Sequence, residues 1–149
     1  MRRRMMEGSE DMRDWRLIGT KNFSEEDLGT AQFDFNCNSC TEFFICDDNL
    51  LSSQPMGYNI KINDVSMSVN HNVRTEIGIR HREISLEYKG NRWCEKHVSC
   101  DYDGLIEQNA RNIIGKKNTG IGVANKISIS QSFSHDYQIY SGTIEIWGR

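Results

Sequence analysis

Hydrophobic and polar residues alternate with a period of two through the middle of the chain, the spacing that lines one face of a strand with apolar side chains. Tyr58, Ile60 and Ile62 form one such run, and Val65, Met67 and Val69 form the next. Asn63-Asp64 between them offers a hairpin turn. Val73, Thr75, Ile77 and Ile79 keep the same period, as do Ile84, Leu86 and Tyr88. Lys89-Gly90-Asn91 then turns the chain into a strand from Arg92 to Val98. Earlier, Trp15 to Ile18 opens the ordered fold, and Gln32 to Cys37 is a strand with Phe33 and Phe35 on one face. The tail returns to strands over Ile127 to Phe133, Tyr137 to Tyr140 and Thr143 to Trp147, with a turn at Ser141-Gly142. These runs predict antiparallel sheet with one wetted face.

Three stretches break the period. Asp103 to Ile114 carries Leu105, Ile106, Ala110, Ile113 and Ile114 at helical spacing, with Asp103 to cap the start and Gly115 to stop it. A helix is expected there, with Lys116 and Lys117 at its negative end. Glu42 to Leu51 suits a helix slightly better than a strand, because Phe43, Phe44, Cys46, Leu50 and Leu51 do not alternate. Ser24-Glu25-Glu26-Asp27 starts a short helical turn that Gly29 ends. The expected fold class is therefore α+β, an antiparallel-sheet-dominated small domain with one main helix and a structural zinc site. Residues 1–14 are charged and without period, so a flexible N-terminal arm is expected before a single domain over 15–149.

Length and charge narrow the function. The 149 residues suffice for one domain, and 37% apolar with 26% charged residues makes a modest core that a structural metal would support. A net charge of −3 supplies no overall field to attract nucleic acid, which favours protein partners. No stretch reaches the length of a membrane span, and Arg2, Arg3 and Arg4 precede no apolar segment of a secretory signal. An intracellular protein with no membrane span is expected. Its five cysteines, an odd number, fit a reducing compartment, where clustered cysteines bind metal more often than they pair.

Cys37-Asn38-Ser39-Cys40 is a C-x-x-C at the end of a strand, and Cys94-Glu95-Lys96-His97 is a C-x-x-H. Two residues between ligands let a turn aim both side chains at one ion, and two such turns complete a tetrahedron. Thiolate and imidazole suit Zn2+, so Cys37, Cys40, Cys94 and His97 are the expected ligands of a closed, structural site. Cys100 is the alternative, because His97-Val98-Ser99-Cys100 repeats the spacing. Four full ligands leave no open position for catalysis, so no catalytic residue and no enzyme is expected. His71, His81 and His135 lie in polar stretches and are expected to be solvated; His135 or His81 with Cys46 or Cys100 is the second set with metal-binding potential. Gly115 to Gly122 follows a helix pattern and lacks the phosphate-loop consensus, so nucleotide binding is rejected.

The order of features is similar to that of the first-open-reading-frame proteins of sobemoviruses, small plant RNA viruses. The polar lead-in Asn22-Phe23-Ser24-Glu25-Glu26, the strand into Cys37-x-x-Cys40-Thr41, and the aromatics Phe43 and Phe44 carry the resemblance. Cys94 with His97, the segment Asn109-Ala110-Arg111 and the Ser141-Gly142 turn before a final strand extend it. The spacing between the two pairs is longer here, and a histidine stands where the family has a cysteine. The resemblance implies a zinc-binding viral accessory protein that suppresses host RNA silencing and supports virus movement. Its implied partners are host silencing-pathway proteins, small RNA and a second copy of itself, in the cytoplasm or nucleus of a plant cell. A nucleic-acid-binding zinc protein and a redox-sensitive zinc switch are the alternatives.

Overall fold

The computed structural model describes residues 14–24, 32–52, 56–73, 79–102, 105–109, 120–131 and 139–149. Ten strands make up the order: β1 (Arg16–Phe23), β2 (Gln32–Cys40), β3 (Glu42–Ser52), β4 (Met56–Ile62), β5 (Val65–Val73), β6 (Ile79–Tyr88), β7 (Trp93–Tyr102), β8 (Leu105–Asn109), β9 (Ala124–Gln131) and β10 (Ile139–Gly148). They form a six-stranded sheet in the order β1-β10-β3-β6-β7-β8 and a four-stranded sheet in the order β2-β9-β4-β5. Every pairing is antiparallel. One core cluster joins the two sheets, with Phe43, Ile45, Ile84, Leu86, Trp93, Ile144 and Ile146 from the larger and Tyr58, Ile60, Ile62, Ile127 and Ile129 from the smaller. The architecture is a β-sandwich.

The β4–β5 hairpin is where the alternation placed it. Asn63 and Asp64 both take positive φ, 48° and 67°, the backbone of a two-residue primed turn whose twist matches the strands. Asn63 also docks the turn on the segment before β9. Its side-chain amide donates to the Val123 and Ile121 carbonyls at 2.9 and 3.3 Å. Its oxygen accepts from the Asn125 and Lys126 backbone amides at 2.9 and 3.2 Å.

Three expectations are corrected. The α+β class gives way to an all-β sandwich, with no α-helix among the described residues. Leu105–Asn109, inside the expected helix, is β8, paired with β7 from Val98↔Asn109 to Tyr102↔Leu105. The rest of that expected helix lies outside the described residues. A helix of its length is marginal alone, below roughly 12–15 residues, so a ready-made sheet edge overrides the local pattern. Glu42 to Leu51 belongs to the strand β3, interior to the six-stranded sheet. Phe43 and Ile45 enter the core, while Phe44 and Cys46 are buried on the outer face against Trp15 and Trp147. A strand covered on both faces loses its alternation, and that is why it resembled a helix.

The Ser141-Gly142 turn is the third correction. β10 runs straight through it, with a register shift against β3 between Ser141 and Thr143. Gly142 has φ of 100°, and a Cβ there would lie 2.5 Å from the Asn49 carbonyl oxygen, so this close crossing of two strands admits only glycine. The short helical turn expected after Ser24, and all of the arm expected over 1–14 except Asp14, lie outside the described residues.

Candidate functional site

Cysteines three residues apart on a regular strand point to opposite faces, because the side-chain period is two. Both pairs of expected ligands evade that rule through a bulge. In β2 the register against β9 shifts between Asn36 and Cys40, and Ser39 takes φ of 50°. Cys37 and Cys40 thereby both join the inner cluster. In β7 the register against β6 shifts at Lys96, so Cys94 opposes Glu87 and His97 opposes Ser85. Leu86 between those partners is core, so Cys94 and His97 share the outer face of the six-stranded sheet.

The pairs therefore face different spaces: Cys37 and Cys40 look into the sandwich from the smaller sheet, and Cys94 and His97 look away from it on the larger. The structure brings together each pair but not the four. Among the described residues, no group of three or more His, Cys, Asp or Glu side chains gathers to hold a metal ion. Cys100 opposes Arg82 in the register, and its side chain lies outside the described ones.

Burial raises both of the thiols whose titration is shifted. Burial pushes the Cys37 thiol up to about 12, helped by neighbouring Cys40, and the nearby Arg16 charge opposes this. Cys46, fully buried on the outer face between Glu145 of β10 and Glu83 of β6, is held protonated by burial first and those carboxylates second. Low-pKa thiolate chemistry is absent at both positions.

His81 is not the solvated residue expected. Its Nδ1 lies 2.8 Å from Asp48 Oδ1 and its Nε2 lies 2.9 Å from Glu83 Oε1. Hydrogen bonds to Asp48 and Glu83 outweigh burial and raise its pKa to about 9, so the ring is an imidazolium donating from both nitrogens. Neither nitrogen is left to act as a base. On the inner face, Tyr58 donates to the Asp47 carboxylate at 2.7 and 2.8 Å, and Arg82 Nε donates to Asp47 Oδ2 at 2.6 Å. Asp47 and Arg82 are 0% and 3% exposed, so this ion pair is sealed between the sheets. The signal for it was present in the alternation, which puts Arg82 on the face of Ile84 and Leu86.

Accessible concave surface lies at the end where β2 passes into β3 and β10 finishes. Asp14, Arg16, Thr41, Glu42 and Arg149 line an open groove of about 600 Å3. Its floor is braced: the Thr41 and Glu42 amides donate to the Arg149 carbonyl at 2.9 and 3.0 Å, and the Arg149 amide returns a bond to the Glu42 carbonyl at 3.1 Å. Arg149 Nε donates to Glu42 Oε2, and its guanidinium lies 4.6 Å above the Trp15 ring. Leu17, beside Arg16 in the chain, is 52% exposed. Two guanidinium groups and two carboxylates, one pair of them bonded to each other, thus line one mouth. Sequence reading missed it because its residues come from β1 and the segment just before it, from Arg149 and from the β2–β3 connection.

No family model matches the chain, and no curated protein matches it. Among solved structures it is similar to the binding domain of Botulinum neurotoxin DC in complex with rat synaptotagmin II, at 12% identity and a TM-score of 0.31. That alignment covers 91% of this chain and 41% of the other, so the chain spans less than half the length of that neighbour. A likeness of this grade carries no argument about fold, family or activity. Among the described residues, no helix is long and apolar enough to cross a membrane.

Proposed function

We propose that this protein is a non-enzymatic binding module that takes a mixed-charge segment of a protein partner in the groove between Arg16 and Arg149. The groove itself carries the reading: Asp14, Arg16, Glu42 and Arg149 present both signs of charge on a braced, water-exposed floor. Guanidinium groups take carboxylates in a planar fork, while Asp14 and Glu42 suit Lys or Arg side chains. Carboxylates in the mouth and the net charge of −3 work against a phosphate backbone, which favours protein over RNA.

A randomised peptide library selected in parallel on the wild type and on the Arg16→Glu/Arg149→Glu variant tests this. Peptides carrying both charge signs should be enriched on the wild type and lose at least tenfold in affinity on the variant. No enrichment, or equal enrichment on both, overturns the reading. Suppression of RNA silencing, the role implied by the viral resemblance, is one form such protein binding would take. Restored expression of a silenced reporter in leaf tissue would support it, and unaltered silencing would remove it.

A further inference from the structure

The bulge in β2 does more than place two cysteines on one face. It places both thiols in the same inner cluster, where Cys37 Sγ donates to the Ala124 carbonyl at 3.4 Å. The Ser39 amide, at the turn of the bulge, donates to Asn125 Oδ1 at 3.2 Å, so β9 holds the distorted backbone in place. Both thiols are reduced, and they differ in access: Cys40 is fully buried and Cys37 is half-buried. Arg16, which acts on Cys37 electrostatically, also lines the groove, so the outer member of the pair lies close to accessible surface. An outer thiol backed by an inner one is the arrangement of an attacking and a resolving cysteine.

We propose that Cys37 and Cys40 are an oxidisable pair, which a low-molecular-weight disulfide such as oxidised glutathione converts to an intramolecular disulfide. The Cys37 thiolate attacks one sulfur of the small disulfide and expels one small thiolate, which takes up the proton that Cys37 released. Cys40 then attacks Cys37 Sγ in the mixed disulfide, gives up its own proton and expels the second small thiol. Two protein thiols are oxidised to one disulfide, and one small disulfide is reduced to two thiols. With Cys37 only half-buried and Cys40 fully buried, this is a slowly set cross-link of the bulge rather than a turnover site. Cys46 and Cys94 lie on the outer face of the other sheet, opposite Glu83 and Glu87. The proposal does not depend on the groove binding a partner.

The test uses the full chain in glutathione redox buffers, quenched with acid and analysed by mass spectrometry after cleavage at Glu42, which separates Cys46 from the pair. The expected product is a Cys37–Cys40 disulfide, with both free thiols lost in equal amounts. In Cys40→Ser the same treatment should stop at a mixed disulfide on Cys37, and in Cys37→Ser Cys40 should stay reduced. Should either variant fail to fold, alkylation of the acid-quenched wild type after unfolding decides: Cys37 and Cys40 must lose reactivity together on oxidation. A stable mixed disulfide on wild-type Cys37, free thiols at both positions in oxidising buffer, or oxidation confined to Cys94 overturns the proposal.

Discussion

His81 shows how far a single residue can depart from its sequence neighbourhood. A histidine between Arg80 and Arg82 looks solvated, yet the register puts it beside Asp48 of β3 and one period from Glu83. Its pKa in the fold, about 9, lies above the ordinary value of 6.5, so the charged ring belongs to the folded state. The stability it contributes is complete below about pH 6.5 and is lost as the pH climbs through about 9. With 22% of the side chain facing water, screening reduces the effect, and a loss of order 1–2 kcal/mol across that window is expected. Urea unfolding at pH 6 and pH 9.5 measures it, and His81→Gln should flatten the difference. A profile equally steep in the variant would assign it to other groups.

At the scale of elements, the chain's alternation was a good guide wherever one face of a strand is wet and a poor one elsewhere. β4, β5 and the turn between them were legible because Asn63-Asp64 is a turn dipeptide flanked by two period-two runs. What could not be read was that Asn63 also bonds four backbone groups about 60 residues away. Asn63→Gly keeps the positive φ and deletes those bonds, and should cost about 1–3 kcal/mol in denaturant unfolding. Asp64→Gly also relieves a positive φ and loses only the water-exposed pair with Lys126, so the unfolding midpoint should hardly move. Equal losses in the two variants would mean that the turn backbone, not the docking of Asn63, holds the hairpin. β3 and β8 were misread for a shared reason: their apolar residues answer to two faces or to a sheet edge, and neither is visible in a local window.

For the whole molecule, the joining of the two sheets is where polar chemistry enters the core. Asp47 of β3 and Arg82 of β6 belong to the larger sheet, and Tyr58 of β4 to the smaller. Their bonds fix which end of one sheet lies over which part of the other, a specificity that a uniformly apolar interface supplies less well. Asp47→Ala removes the carboxylate that the buried Arg82 guanidinium pairs with, and should destabilise by about 3–5 kcal/mol. Asp47→Leu with Arg82→Met removes both charges and should return most of that stability, as measured by chemical unfolding. A double variant as unstable as the single one would show that the pair stabilises through more than mutual compensation.

The sequence by itself determined the strand-rich character, the β4–β5 and β6–β7 turns, and the apolar residues that fill the core, because these follow from side-chain period and turn chemistry within a few neighbours. It also singled out C-x-x-C and C-x-x-H as paired residues. Only the tertiary structure decided that a bulge in β2 and another in β7 turn those pairs toward different sides of the sandwich. It alone decided that Leu105–Asn109 extends a sheet, that His81 is clasped by two carboxylates, and that Asp14, Arg16 and Arg149 meet Thr41 and Glu42 in one groove. The physical reason is that a strand's hydrogen bonds are made to another strand. Register, bulges and face assignment are settled by partners distant in the chain, and no local pattern encodes them.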